Sequence, residues 1–444
     1  METTWENIED ENYCGKGTRI SIEYGSNDCY DPLDPNGNIS ITIDIYQWTP
    51  DGYQARVTIQ NYYQYRHVEK PGWALGWRWV NKEVIWSMTG AIAIHQGDCS
   101  NFTTRVPYCC KENPVIIDLT PEAPPETRTA NCCRSGVLTA SGIDMPNSLS
   151  YFDMIIGHLD GKPNVKIPRN LTLLAPSIGY TCSPLVDSTP TTVIVDGGLR
   201  KEQAFRTWKS ACTYSSFVAK KTPACCVSLS TFYNPRITPC PACSCDCGTV
   251  GNVPPQCTGE GSVKPPLERD VQLNRYIGCT DHMCAVRVHW HVKSNYKGHW
   301  RVKVTVSNYD FVNNHSNWNL VIQHPSFSQS LQTFSFNYTK LPTSAGTDEA
   351  ALFWGLDYYN TMLVHADETD PGSVTTDVLM SKDLESFTLS NGWSFPRRIY
   401  FNGDNCQMPM PDEFPTLPNS GPRPSNFQHI LFLIIFLIFH GVEP

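Results

Sequence analysis

The chain of 444 residues lacks the features that usually accompany binding to nucleic acid or to an anionic membrane surface. Its formal net charge is -9, and no run of lysine and arginine stands out, whereas both of these partners attract dense positive charge. Amphipathic helical patterns are also scarce. The best candidate covers residues 199–212, where apolar side chains recur with three- and four-residue spacing. The sequence therefore predicts no nucleic-acid partner and few helices.

Familiar catalytic motifs are absent as well. Neither G-x-S-x-G nor H-E-x-x-H occurs. Asp367 and Glu368 are adjacent acids in a polar, loop-like stretch, where nothing holds two carboxyl groups in the fixed opposition that a glycosidase requires. His289 and His291 are two residues apart on a predicted strand, but basic neighbours on the same face would repel a metal ion, so we interpret them as a solvated face. We expect no enzyme, catalytic residue, metal or cofactor; a distant carboxylate pair leaves a hydrolase as an alternative hypothesis.

Cysteine, in contrast, is abundant. Nineteen cysteines would need metal ions in a reducing cytosol, whereas in an oxidising compartment they pair as disulfides. The four cysteines within residues 240–247 would suffice for a zinc site, but disulfides are the favoured interpretation. The odd count leaves at least one cysteine unpaired or intermolecular, with Cys14 and Cys29 as candidates. Disulfides are also favoured by three adjacent pairs, whose members usually bridge to different partners: 109–110, 132–133 and 225–226.

N-glycosylation sequons point to the same compartment. A single sequon is easily produced by chance, but five of them in a cysteine-rich chain favour secretion. The predicted acceptors are Asn38, Asn101, Asn170, Asn314 and Asn337.

The two ends of the chain differ in their targeting signals. Residues 1–29 are acidic and have neither a basic n-region nor an apolar h-region, so no signal peptide is recognisable, and we expect an incomplete or alternative start. At the other end, small residues beginning at Asn419 precede a polar spacer and an apolar run over residues 430–439. This order is typical of a GPI-attachment signal, with Asn419 as the attachment site and residues 420–444 as the propeptide. The run is too short for a membrane-spanning helix, which takes about 20 residues.

Two stretches of the chain have the pattern of one β-hairpin. Residues 38–62 alternate strand-like on both sides of a Thr-Pro-Asp-Gly turn, and residues 285–309 alternate in the same way. Shifted by 247 positions, Ile41 falls on Val288 and the segment TIQNY falls on TVSNY. Chance alternation is the alternative, but the shared Asn-Tyr at the strand end favours duplication.

The repeat predicts a mainly β protein with two antiparallel sandwich domains of the immunoglobulin-like class. The first is predicted at 30–175 and the second at 285–406. Between them, residues 176–284 are predicted to form a cysteine-rich segment. Within it, residues 225–257 are rich in proline and cysteine and poor in apolar residues, so they require cross-links rather than a core of their own. Residues 407–419 are proline-rich and predict a stiff stalk.

Several segments, in this order, closely resemble the plant COBRA family. They include DPNGNISITIDIYQWTPDGYQARVTI, QYRHVEKPGWALGWRWVNKEVIWSMTGA, CCVSLSTFYN, CPACSCDCG and FPRRIYFNGDNC. The resemblance covers roughly residues 30–440. It implies an extracellular, GPI-anchored, non-enzymatic protein that takes part in cellulose microfibril deposition and in oriented cell expansion or wall thickening. It also implies a first domain similar to a carbohydrate-binding module, and a CCVS motif formed by Cys225, Cys226, Val227 and Ser228.

A cellulose-binding module needs aromatic rings that lie flat on sugar faces. The candidates at turns and hairpin ends are Trp48, Tyr53 and Tyr65. In GWALGWRW, residues 72–79, three tryptophans share parity and would point to one strand face. We predict that the second and third fill the core between the sheets, whereas Trp73 fits either a core or a sugar-binding position.

These observations lead to two hypotheses about function. The first is a protein on the outer face of the plasma membrane and in the cell wall, with cellulose or a related wall polysaccharide as its partner and with a lipid anchor in the membrane. The second is a cell-surface structural or signalling protein whose β domains bind other wall proteins. Exposed coplanar aromatic rings would favour the first hypothesis, and an apolar patch with a polar rim would favour the second.

Overall fold

The computed structural model gives the architecture of most of the chain. Helical structure in the described residues is confined to single turns, at Pro125–Thr127, Pro146–Ser148, Ser216–Ala219, Pro325–Ser328 and Pro411–Glu413. Within this part of the chain, no helix has the length and apolar character needed to cross a membrane. The described residues are 31, 33–158, 165–176, 179–195, 199–219, 224–241, 256–257, 277–278, 284–310, 314–342, 349–366, 371–382 and 394–415.

The first domain contains thirteen described strands. They are β1 (Ile39–Thr49), β2 (Gly52–Asn61), β3 (Ala74–Arg78), β4 (Val84–Thr89), β5 (Ala91–Ala93), β6 (Val115–Asp118), β7 (Leu149–Gly157), β8 (Arg169–Leu174), β9 (Tyr180–Cys182), β10 (Val186–Ser188), β11 (Thr192–Val195), β12 (Arg200–Gln203) and β13 (Arg206–Tyr214).

Two sheets of these strands enclose the first core. The larger sheet has the order β10-β13-β1-β2-β7-β4, with β9 also paired to β13, and the smaller sheet has the order β5-β6-β3-β8. Strands β11 and β12 form a separate ribbon. The alternating isoleucines of β1 and the apolar positions of β2 and β7 point inward and are buried, as a half-buried strand requires.

The second domain begins with the CCVS segment. Its strands are β14 (Cys225–Thr231), β15 (Asn234–Thr238), β16 (Gln256–Cys257), β17 (Ile277–Gly278), β18 (Val286–Asn295), β19 (His299–Asn308), β20 (His315–Ser316), β21 (Asn319–Gln323), β22 (Leu331–Thr333), β23 (Phe336–Leu341), β24 (Ala350–Gly355), β25 (Met362–Leu363), β26 (Gly372–Ser381), β27 (Arg398–Phe401) and β28 (Asp404–Asn405).

The second domain is also a two-sheet structure. One sheet has the order β15-β14-β18-β19-β26-β22 and the other has the order β23-β24-β21-β27-β28. Its core is dominated by the valines of β18 and β19 together with buried Trp290 and Trp318. The prediction of a mainly β fold with two sandwich domains is confirmed.

The two central hairpins correspond position by position, as the repeat predicts. Ile43 pairs with Val57 in β1–β2, and Trp290 pairs with Val304 in β18–β19, each 247 residues later. Both hairpins carry a β-bulge at the same place, between residues 45 and 47 and between residues 292 and 294. The hairpins differ in their outer neighbour, because β13 pairs antiparallel to β1 whereas β14 pairs parallel to β18.

The predicted domain boundaries need correction. Residues 176–284 do not form a separate linking segment, because β13 completes the first domain by pairing with β1 and β14 completes the second by pairing with β18. The helix predicted at 199–212 is also wrong, since these residues form β12 and β13. Trp208 and Cys212 are four apart, a spacing that places side chains on one face of a helix and equally on one face of a strand.

The prediction of a stiff stalk at 407–419 is wrong for residues 407–413, which pack against the second domain. Gln407 exchanges backbone hydrogen bonds with Cys225 and Val227, and the Thr238 hydroxyl donates to the Glu413 carbonyl. These contacts hold the segment against the second domain. Residues 416–419 and the predicted attachment site Asn419, the propeptide at 420–444 and the acidic segment 1–29 lie outside the described residues.

Disulfides are confirmed, with two differences from the predicted pattern. Among the described residues Cys109 forms no disulfide, although its neighbour Cys110 bonds to Cys99. Cys225 and Cys226 bridge to different partners, whereas Cys132 and Cys133 bond to each other. Because Cys240 forms a disulfide, it is not a zinc ligand; the three cysteines that follow it in the cluster, and Cys14 and Cys29, lie outside the described residues. The described bridges are Cys99–Cys110, Cys132–Cys133, Cys182–Cys212, Cys225–Cys406 and Cys226–Cys240.

Arg66, just after β2, joins the two domains. Its Nη1 atom lies 2.8 Å from Oδ1 of Asp404, and its other Nη atom donates to the carbonyl of Gly403. The guanidinium also stacks 3.8 Å from the centre of the Tyr214 ring in the first domain. Since little of either charged group is exposed, the pair is poorly screened by water and depends on these partners.

An apolar contact surrounds this ion pair. Tyr65 packs into a cluster with Val321, Leu352 and Tyr400 on the outer face of the sheet formed by β23, β24, β21, β27 and β28. The rings of Tyr65 and Tyr400 are 5.9 Å apart, and the Tyr65 hydroxyl donates to Asp31 at 2.5 Å. This sheet is therefore buried on both faces, which explains the continuous apolar runs in β21, β24 and β27.

We predict that Arg66→Met lowers the free energy of unfolding by ~3 kcal/mol, because it leaves the Asp404 carboxylate without its cation in a poorly hydrated interface. Chemical denaturation of the full chain measures the change. The matched control is Arg78→Met, since the Arg78–Glu112 pair is more than half exposed on both sides and should contribute about 0–1 kcal/mol. Equal losses in the two variants would contradict a special role for Arg66.

Candidate carbohydrate-binding surface

The three tryptophans of GWALGWRW all belong to the core. Trp77 and Trp79 are buried and meet edge to face, with ring centres 5.4 Å apart, as predicted. Trp73 stacks on Phe152 at 6.0 Å and is only 2% exposed. Its candidacy as a sugar-binding residue is therefore wrong, because neither face of the indole is free. The positive φ of Gly72, +93°, turns the chain directly into β3 at this point.

Tyr53 and Tyr65 are also wrong as sugar-binding candidates. Each side chain is about 1% exposed. Tyr53 lies on the inner face of β2, where burial raises the pKa of its hydroxyl well above the ordinary range. Tyr65 is covered by the second domain rather than by its own. Both residues stand near chain turns in sequence, but the sandwich core and the domain interface enclose them.

Trp48 is exposed, as its predicted role requires. The bulge between Ile45 and Gln47 shifts the side-chain alternation of β1, so Trp48 is the direct partner of Tyr53 on β2. At this open end of the sandwich the indole remains 44% exposed. It stacks on Phe205, itself 58% exposed, with ring centres 6.1 Å apart and an interplanar angle of 25°. The two exposed rings are nearly parallel and lie side by side at the protein surface, and we call them the Trp48–Phe205 pair.

A second aromatic group lies at the same hairpin turn. The Trp86 indole N–H donates to the Asp51 carboxylate at 2.9 Å, and its ring meets Phe102 edge to face at 5.7 Å. Arg105 lies over the Trp86 ring at 4.8 Å. Asn101, a predicted glycan acceptor, directly precedes Phe102 and is exposed. A glycan there would cover this group, which makes the Trp48–Phe205 pair the better candidate for sugar binding.

The sequence does not indicate Phe205 as a surface residue of the site, because the spacing within residues 199–212 predicts a helix. In the structure Phe205 precedes β13 and its N–H donates to the carbonyl of Ile45. The detectable signal is that Trp208, Cys212 and Tyr214 share parity, which would place all three on one face of a strand. Trp86 and Phe102 are far apart in sequence, and only the fold brings them together.

The predicted glycan acceptors differ in exposure. Three are exposed and two are partly buried, and the attachment of glycans stays a prediction at all five. The exposed ones are Asn101, Asn170 and Asn314, and the partly buried ones are Asn38 and Asn337.

The CCVS motif forms the start of β14 in the second domain. Cys225 bonds to Cys406 near the end of the domain, and Cys226 bonds to Cys240. Val227 points into the core, and Ser228 points to the opposite face. The motif therefore fixes the first strand of the domain covalently on both of its faces.

Ser228 and Ser230 meet two histidines of the parallel strand β18. The Ser228 hydroxyl lies 2.6 Å from Nδ1 of His289, and the Ser230 hydroxyl lies 2.9 Å from its Nε2. Ser230 also lies 2.7 Å from Nδ1 of His291. The interpretation of these histidines as a solvated face is therefore wrong for His289, whose two ring nitrogens are both hydrogen-bonded. Burial, and then the nearby cations, lower the pKa of His289 to about 4.

Comparison with known proteins identifies the family. A sequence model of the COBRA N-terminal domain matches residues 53–215, and a model of the COBRA family C-terminal domain matches residues 224–415. The chain is 47% identical over 422 residues to COBRA-like protein 1 of Arabidopsis thaliana, covering 93% of each chain. The chain belongs to the COBRA family. It is also 49% identical over 406 residues to COBRA-like protein 1 of Oryza sativa subsp. japonica, with 90% of each chain covered. Identity to protein COBRA of Arabidopsis thaliana is 45% over 431 residues, with 94% of each covered.

The two COBRA domain matches agree with the structure. The first ends at residue 215, just after β13, and the second begins at residue 224, just before β14. Membership in the COBRA family supports a role related to the cell wall and favours a structural rather than a catalytic protein.

The pKa of His289 predicts a pH-dependent contribution to stability. Because its folded pKa is about 4, below the ordinary value of about 6.5, the neutral ring stabilises the fold above pH ~6.5, and this stabilisation is lost as the pH falls toward 4. His289→Gln should reduce the loss of unfolding free energy over this range by about 2–3 kcal/mol. Denaturation at a series of pH values measures it, with the exposed His95→Gln as control. Identical pH profiles for wild type and His289→Gln would refute the assignment.

Proposed function

We propose that this COBRA family member is a non-enzymatic cell-surface protein that binds cellulose or a related wall glucan through its first domain. It thereby helps cellulose microfibril deposition or orientation, and hence oriented cell expansion or wall thickening. The observation that supports the proposal is the Trp48–Phe205 pair, two exposed and nearly parallel rings at the open end of the first sandwich.

The chemistry of this pair suits a neutral glucan. The axial C–H faces of a β-linked glucose chain are flat and apolar, and aromatic rings cover such faces with little loss of side-chain freedom. The buried Tyr53 ring packs edge to face against the Trp48 ring, with ring centres 6.3 Å apart. This contact orients the Trp48 ring in the absence of sugar. Because stacking does not depend on ion pairing, binding should persist at high salt concentration.

We predict that Trp48→Ala and Phe205→Ala each weaken binding of the full chain to microcrystalline cellulose by roughly tenfold, the effect of losing about 1.4 kcal/mol of stacking. Both variants should melt near the wild-type temperature, because the rings are half exposed. Pull-down isotherms and thermal melts measure the two quantities. The experiment uses the full chain because a fragment covering residues 30–175 would lack β13, which pairs with β1 in the first domain.

Two controls make this experiment decisive. Tyr359→Ala removes an exposed ring, 73% accessible, from the second domain and should leave binding unchanged. Trp77→Ala removes a core ring and should destabilise the first domain by ~3–5 kcal/mol. Failure of the wild type to bind cellulose, or loss of binding only in variants that also melt early, would refute the proposal.

A second candidate function is binding to another wall protein. The outer face of the sheet β5-β6-β3-β8 carries a row in which Ile92 pairs with Ile117, Ile117 with Ala74, and Ala74 with Leu174. Ile92 and Leu174 are exposed, and Ile94 is exposed next to this row. An apolar face of this kind fits a protein interface. Absence of cellulose binding by the wild type, together with association with proteins of a cell-wall extract that is lost in Leu174→Asp and kept in Trp48→Ala, would favour this surface over the aromatic pair.

The proposal includes a GPI lipid anchor that holds the protein on the outer face of the plasma membrane. Its support is the small-residue site beginning at Asn419, the polar spacer and the short apolar run over residues 430–439. Secretion is supported by the disulfides of the described domains, since such bridges persist in oxidising compartments.

We predict that phosphatidylinositol-specific phospholipase releases the protein from membranes of cells that express it behind a functional leader peptide. Replacement of Asn419, Ser420 and Gly421 by bulky residues should prevent anchoring, because the transamidation site needs small side chains. Fractionation and immunoblotting measure release. Protein that resists the phospholipase, and that leaves the membrane only in detergent with its tail intact, would contradict a lipid anchor.

A further inference from the structure

The outer face of the first sheet of the second domain is strongly basic, although the chain as a whole is acidic. Arg287 and Lys293 project from β18, and Arg301 and Lys303 project from the neighbouring β19. Asp377 of β26 faces the same side. Four cations and one carboxylate on a single sheet face concentrate positive potential there.

Asp377 neutralises only part of this charge. It accepts from Lys293 at 3.2 Å and from Nε of Arg301 at 2.9 Å. Burial raises the pKa of Asp377, but the hydrogen bonds from Arg301 and Lys293 outweigh that effect, and the pKa lies below its usual range. The carboxylate is therefore ionised and occupied by two cations.

Lys303 forms no ion pair within the described part of the chain, although it is the register partner of Asp377. On the central strand β19 it pairs in register with His291 on one side and with Asp377 on the other. Its side chain is exposed, and no carboxylate of the described residues lies within ion-pair distance of it. Lys303 is thus available to an anion that approaches the sheet face.

A shallow depression brings this lysine together with an aromatic ring. It is lined by Arg301, Lys303, Phe334, Thr375 and Asp377. Phe334 is 62% exposed, and its backbone N–H donates to the Thr376 hydroxyl at 3.3 Å, which holds the segment against β26. The Thr375 hydroxyl donates to the Val304 carbonyl at 3.0 Å and lies 3.1 Å from the Thr305 hydroxyl, so it is already hydrogen-bonded within the sheet. The depression therefore brings together a cation that can bind a carboxylate and an aromatic ring that can pack on a sugar face.

We propose that this depression binds a uronate-bearing acidic polysaccharide, with the sugar carboxylate at Lys303 and Arg301 and the pyranose ring against Phe334. The site lies on the second domain and differs in ligand chemistry from the glucan surface, so it goes beyond the function proposed above. Phe334 favours a sugar over an anionic lipid surface or an acidic peptide, because a single exposed ring beside a cation matches one pyranose carrying one carboxylate.

The test measures binding of the full chain to polygalacturonate, with fully methyl-esterified polygalacturonate as the neutral comparison. The acidic polymer should bind and should be released by added salt, because the interaction includes ion pairs. Lys303→Gln and Phe334→Ala should each weaken binding by roughly tenfold. Asp377→Asn should instead tighten it by roughly threefold, since it frees Arg301 and Lys293. Tighter binding cannot result from unfolding. This variant therefore distinguishes an effect on the binding site from a loss of folded protein.

Matched variants separate this site from the glucan surface and from general charge effects. Lys201→Gln removes an exposed lysine of the first domain, and Tyr359→Ala removes an exposed ring of the second; both should bind polygalacturonate like the wild type. Trp48→Ala should also leave this binding unchanged, so failure of either proposal is distinguishable from failure of the other. Equal binding of the methyl-esterified polymer, equal binding of poly-glutamate without dependence on Phe334, or preference for anionic vesicles would overturn the proposal.

Discussion

The buried guanidinium of Arg66 is the contact on which the arrangement of the molecule depends. It is held by Asp404 and Gly403 of the second domain and by the Tyr214 ring of the first. Around it, Tyr65 closes an apolar cluster on the outer face of the second domain's smaller sheet. A buried cation tolerates little displacement, because moving it away from its partners leaves charge without solvent or counter-ion. The contact therefore fixes which sheet faces are covered and which remain exposed.

The two faces left exposed carry different chemistry on related scaffolds. Both hairpins have a bulge at the equivalent position, and the second paired residue after it is Trp48 in the first domain and Asn295 in the second. In one domain this strand end presents a stacked aromatic pair. In the other, Asn295 accepts from Lys382, and the sheet face beside it is basic. The two hairpins share the bulge and differ in their side chains, and the ligands proposed for the two domains, a neutral glucan and an acidic polysaccharide, differ accordingly.

The CCVS motif explains how the second domain is closed. Its first cysteine bonds to Cys406 across a sequence separation of 181 residues, and a bridge over a loop of that length strongly restricts the unfolded chain. The parallel pairing of β14 with β18 then places Ser228 and Ser230 against His289. The CCVS motif therefore has a structural role. It fixes the position of β14 and hydrogen-bonds this strand to β18.

The sequence by itself determined the β class, the duplicated hairpin, the disulfide-rich character and the core position of Trp77, because alternation and composition reflect local burial. It also identified Trp48 as exposed. It misplaced Tyr65, whose burial comes from a domain hundreds of residues away in the chain, and Tyr53 and Trp73, whose positions at strand ends lie inside the sandwich. Residues 199–212 were assigned to a helix because a four-residue spacing fits helix and strand alike. Only the tertiary structure brought Phe205 to Trp48, Ser228 to His289 and Phe334 to Lys303, since these contacts join segments whose proximity depends on strand pairing and packing rather than on local pattern.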